Sequence, residues 1–118
     1  MSTVYYRYIV NVMERNQLIA ERKVLSINSA SGYVTWYTPT RYDNPLDAQR
    51  ELALPSSIVP MYRVGPIAET LMPPLSTGPR RVAPAFGYPG GGLEVSTNEP
   101  VWLFGLWSFA NGAYDSNV

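Results

Sequence analysis

Eleven prolines punctuate these 118 residues, and four of them, Pro73, Pro74, Pro79 and Pro84, crowd between Ala68 and Ala85. Proline fixes φ and has no N–H to donate, so no long helix can pass through that stretch. An irregular loop or short edge strands are expected there. The segments between the other prolines carry the regular structure. Residues 4–10 (VYYRYIV) are β-branched and aromatic, which predicts a first strand. Asn11 follows as a helix N-cap, with Glu14 placed to complete a capping box. Val12, Leu18 and Ile19 give that helix an apolar side, while Glu14, Arg15, Glu21, Arg22 and Lys23 belong in water.

Residues 26–32 are small and polar and read as a loop. Residues 33–38 (YVTWYT) predict a second strand, ended by Pro39. A second helix is expected from Asp43-Asn44, with Pro45 in its first turn, Asp47 close behind and an end before Pro55. Residues 61–67 read as a strand whose end Pro66 places at a sheet edge, and residues 101–109 as one well-buried strand. The tail from Asn111 is expected to fray. No repeat or linker interrupts the pattern, so residues 1–118 read as a single α+β domain with two short helices.

Composition limits the chemistry. The chain is 46% hydrophobic and 15% charged, a globular rather than a disordered balance. It has no cysteine and no histidine, which excludes disulfides, thiolate chemistry, Ser–His triads and histidine-held metals. Carboxylates, arginines, hydroxyls, amides and backbone dipoles remain for catalysis, and no metal is expected. A formal net charge of +0 argues against a protein whose main work is gripping a nucleic-acid backbone. The first strand carries Arg7 and is too short for an export signal or a membrane span, so no membrane partner is expected. The compartment expected is the cytoplasm, for a free-standing protein or for the terminal module of a larger one.

Three features could carry function. Gly90-Gly91-Gly92 is either a flexible hairpin turn or a loop whose bare amides approach a phosphate or ribose, with Glu94 just beyond. Arg7 is either a solvent-facing strand residue or an anion anchor. Thr35-Trp36-Tyr37-Thr38 alternates aromatic rings with hydroxyls, which suits ordinary sheet packing or the lining of a cleft that stacks on a flat base.

Together these blocks resemble the C-terminal toxin modules of bacterial polymorphic toxins, in their ADP-ribosyltransferase-like and NAD+ glycohydrolase-like families. The matching pieces run in order: Tyr6-Arg7-Tyr8, Thr35 to Thr38, an Ala-Gln-x-x-Leu-x-Leu-Pro helix end at residues 48–55, and Tyr62-Arg63-Val64. Last comes residues 82–94 (VAPAFGYPGGGLE), similar to the Phe-Gly-Gln-Pro-Gly-Gly-Gly stretch of those families. The resemblance implies a small ADP-ribosyltransferase-like fold, whose split, bent β-sheet clasps NAD+ as substrate. Arg7 would hold the phosphates, and Thr35, Trp36 and Tyr37 would line the nicotinamide and ribose region, with Gly91 and Tyr88 beside the cofactor. Glu94 would be the catalytic carboxylate, with Arg7 assisting.

Tyr88 stands where the glycohydrolase members have glutamine, which tips the expectation toward ADP-ribosyl transfer to a macromolecular acceptor over hydrolysis. The resemblance also implies delivery into a target cell's cytoplasm and a cognate immunity protein. The other reading is a non-catalytic module that binds a protein through exposed aromatic rings.

Overall fold

Val4, Tyr5, Tyr6, Tyr8 and Ile9 are bulky at or near Cβ and pack well on a pleated surface, so the chain begins in a strand. In the computed structural model, which describes residues 3–24, 34–55 and 57–115, this strand is β1, Val4–Ile9. The expected loop at residues 26–32 lies outside the described residues. Asn11 turns the chain into α1, Val12–Glu21, its side chain accepting from the Met13 N–H at 2.7 Å. Arg22 closes the helix in a left-handed conformation, donating its N–H to the Leu18 carbonyl.

Two expectations for α1 fail. Glu14 is neither solvated nor turned to the N-cap: it reaches back to Arg7, whose guanidinium offers two donors and a full opposite charge where the N-cap amide offers one neutral donor. Val12 is exposed, and Leu18 alone among the helix residues is fully buried. The second helix is α2, Pro45–Glu51, capped by the Asn44 side chain on the Leu46 N–H.

The remaining strands are β2 (Lys23–Val24), β3 (Thr35–Tyr37), β4 (Tyr62–Ala68), β5 (Leu75–Arg81), β6 (Leu93–Thr97), β7 (Val101–Trp102), β8 (Leu106–Ser108) and β9 (Ala113–Tyr114). They form antiparallel sheets ordered β1-β4-β8-β9, β3-β6-β5 and β2-β7. Among the described residues this is an α+β fold, richer in strand than in helix, with two α-helices. One core packs Ile9, Leu18, Val24, Val64, Val95 and Leu106 together; a second gathers Tyr6, Tyr8, Tyr42 and Ala48 where α2 meets β1.

Pro66 does not mark an edge. β4 lies inside its sheet, between β1 and β8. Tyr5 faces Ile67 and Arg7 faces Val64, so Tyr6 opposes both Gly65 and Pro66 in a bulge where the missing proline N–H is no loss. The Tyr6 backbone, released from β4, exchanges two 2.8 Å hydrogen bonds with Thr38 and so ties the four-stranded sheet to the three-stranded one.

The segment 101–109 is not one buried strand either. It divides into β7 and β8, and Trp102 and Phe104 are exposed. Gly105 makes the break, passing so near β4 that a Cβ there would sit 3.0 Å from the Gly65 carbonyl oxygen. Of the tail expected to fray, Ala113 and Tyr114 pair as β9, with Tyr114 edge-on to Trp107, and residues 116–118 lie outside the described residues. No helix among the described residues is long and apolar enough to cross a membrane.

Candidate functional site

The Tyr6–Thr38 bridge sets β1 beside β3, and a cleft of about 400 Å³ opens where these strands meet β6 and the segment after α2. Its size falls in the range of small-molecule sites. Arg7, Trp36, Tyr37 and Glu94 line it, together with Glu14. Thr35, Tyr88 and Gly91 do not.

Arg7 is neither a solvent-facing residue nor a free anchor. Its Nε and Nη2 donate to Glu14 Oε1 at 3.1 and 2.6 Å, and its Nη1 donates to the Trp36 carbonyl at 3.1 Å. The fork therefore ties β1 to α1 and to β3. Period-two alternation divides β3: Trp36 is half-buried, whereas Thr35 and Tyr37 are buried. Thr35 lies opposite Thr97, away from the cleft. The Tyr37 ring joins the core at the cleft's base, where burial pushes its phenol up to about 12 against the opposing pull of the Arg7 charge.

Glu94 stands on β6, opposite Arg80 of β5. Its side chain is 19% exposed, and its Oε1 accepts from Arg80 Nε at 3.0 Å. The same guanidinium lies 4.9 Å above the Trp36 ring. A carboxylate, an indole and a guanidinium thus meet on one face of the three-stranded sheet. Such a face can stack on a flat ring and stabilise positive charge developing beside the carboxylate.

Gly90-Gly91-Gly92 has no amide left for a phosphate. The three N–H groups donate to the carbonyls of Arg50, Val82 and Glu51 at 3.0, 2.9 and 3.0 Å. A Cβ at Gly90 would meet the Val82 carbonyl oxygen at 2.5 Å, and one at Gly92 would meet Tyr42 Oη at 2.8 Å. Gly90 and Gly92 are there because neighbouring backbone and the Tyr42 side chain pass close, and Gly91 because its φ is +96°; together they clasp the end of α2 to the β5–β6 connection. Tyr88 lies in the turn before them, where it and Ala85 exchange backbone hydrogen bonds around Phe86 and Gly87, both at positive φ.

One cleft residue, Glu14, and one side chain that holds two others from beside the cleft, Arg80, escaped sequence reasoning. Glu14 looked like a solvated helix residue, though a carboxylate in the first turn, just after a strand with a lone arginine, was a usable signal. Arg80 lies among the prolines, where no register could be assigned. No group of three or more acidic side chains that could hold a metal occurs among the described residues. No protein-family model, curated protein or solved structure matches the chain.

Proposed function

We propose that this protein cleaves the nicotinamide–ribose bond of NAD+, passing ADP-ribose to a macromolecular acceptor in preference to water. The observation that carries the reading is the Glu94 carboxylate, lining the same cleft as the Trp36 indole. In this reaction the C1′–N bond breaks, its electron pair leaves with nicotinamide, and positive charge spreads over the ribose ring. Glu94 stabilises that charge, and the acceptor's nucleophile then bonds to C1′ and gives up its proton to solvent. No metal, thiol or imidazole is required.

Trp36 offers a flat face for nicotinamide, and Arg7 holds Glu14 and the β3 backbone so that this face keeps its place. Thr35, Tyr88 and Gly91 lie outside the cleft and have no part in this step. Strands divided between two sheets and joined at Tyr6–Thr38 fit a split, bent ADP-ribosyltransferase-like sheet. Toxin delivery and an immunity partner belong to the same reading and rest on the resemblance alone.

The test is free nicotinamide, followed chromatographically after incubation with NAD+ and a cell lysate as acceptor source. Glu94→Gln is expected to lower release on the order of 100-fold while its circular dichroism stays native. Equal release from both proteins would remove Glu94 from the chemistry.

A second reading, a protein-binding module, is favoured by a hollow of about 270 Å³ lined by Phe104 and Tyr114. Both rings are more than half exposed, at 59% and 54%. Absence of release from wild type and variant alike would favour it.

A further inference from the structure

We propose that Arg80 is the residue that recognises the ligand's phosphates, and that phosphate binding draws it off Glu94. The proposal rests on the NAD+ reading of the cleft and names what selects the ligand there. Arg7, first in line for that role, has spent its fork on Glu14 and Trp36. Arg63 is enclosed, its guanidinium lying over the rings of Tyr6, Trp107 and Phe109 and bonded to the Tyr42 carbonyl and Asp43.

Arg80 differs from both. It sits on β5, the edge strand of its sheet, and its side chain is 56% exposed. One nitrogen, Nε, is engaged with Glu94, and the guanidinium plane rests over Trp36. It therefore engages, from beside the cleft, the very carboxylate and indole that a nicotinamide riboside moiety must reach. An exposed ion pair and an exposed cation–π contact are weak ties. A phosphate offers the guanidinium a stronger, bidentate partner.

Moving to the phosphate would uncover the Trp36 face and leave Glu94 charged and unshared, ready to stabilise the ribosyl cation. A ligand without phosphate lacks this lever and meets a neutralised carboxylate. Arg80 thereby selects a dinucleotide over a nucleoside.

Calorimetric titration of wild type, Arg80→Ala and Arg80→Lys with ADP-ribose and with nicotinamide riboside tests this. Arg80→Ala is expected to bind ADP-ribose at least tenfold more weakly, and Arg80→Lys to recover part of the loss. Affinity for nicotinamide riboside should hold or rise in Arg80→Ala, since Glu94 is then free. Exposure on an edge strand predicts unchanged melting for both variants.

Equal ADP-ribose affinity in wild type and Arg80→Ala overturns the proposal, as does wild type that fails to bind ADP-ribose. Nicotinamide release separates this from the function itself. Release with a KM indifferent to Arg80→Ala removes Arg80 and leaves the NAD+ reading standing. ADP-ribose binding that depends on Arg80, without any release, keeps the anion site and removes the cleavage.

Discussion

Gly90-Gly91-Gly92 and the Trp36–Glu94 face stand in opposite relation to their partners. The glycine segment is the most conspicuous stretch in the chain, yet all three of its amides are spent on neighbouring carbonyls. The cleft face draws unremarkable residues from β3 and β6, and its groups are held by a single exposed arginine. Unusual composition there marks a place where backbones crowd. Capacity to bind lies instead where a polar group has been brought into a cleft and only loosely satisfied.

The largest expected effect strikes both regions at once. Burial, the first cause in each case, pushes the phenols of Tyr8, Tyr37 and Tyr42 up from 10.0 to about 12. Tyr42 abuts Gly92, Tyr37 underlies the cleft and Tyr8 bonds the Tyr42 backbone. The folded state holds these protons more tightly than the unfolded chain. Their stabilisation is therefore complete below pH 10.0, declines as pH rises, and is gone past about 12. Melting temperature should fall steeply across that window, and a flat profile would mean that the rings reach water.

Gly90→Ala should follow, at roughly 3 kcal/mol in urea unfolding, from strain at a special φ combined with overpacking. Its φ is +68° and the new Cβ would lie 2.5 Å from a carbonyl oxygen. A loss below about 1 kcal/mol would show the clasp to be slack.

Arg7→Ala should cost about 2 kcal/mol, because Glu14, only 15% exposed, loses its cation. Combining it with Glu14→Ala should cost less than the two single losses added, and strict additivity would mean the pair does not hold the cleft wall. Smallest is Gly91→Ala, on the order of 1 kcal/mol from a φ of +96° in open space. Nicotinamide release should survive it, and a selective loss of release would return the glycine segment to the site.

Both helices and the strands β1, β3 and β4 were legible. Asn11 and Asn44 are helix caps by chemistry alone, and the strands starting near Val4, Thr35 and Tyr62 follow from β-branched and aromatic runs. The meeting of Trp36 with Glu94 on one cleft was expected only through the resemblance. Pairing was the hidden part. Pro66 argued for an edge because the pattern of a single strand says nothing of a bulge opposite it, and Val101 to Phe109 read as one strand because Gly105 looks harmless until Gly65 lies against it.

The inventory of the chain settled that any chemistry here runs without cysteine or histidine, and its local pattern settled where both helices start and where β1, β3 and β4 lie. Those properties depend on residues within a few positions of one another. Which donors are spent and which remain is a different matter. Arg7 closes on Glu14 seven positions away, Arg80 on Glu94 fourteen away, and the Gly91 amide on Val82 across a folded turn. A hydrogen bond forms with whatever partner the fold brings within reach, so only the assembled sheets could decide that the Arg7 fork is spent within the fold and that Arg80 stays exposed beside Glu94 and Trp36.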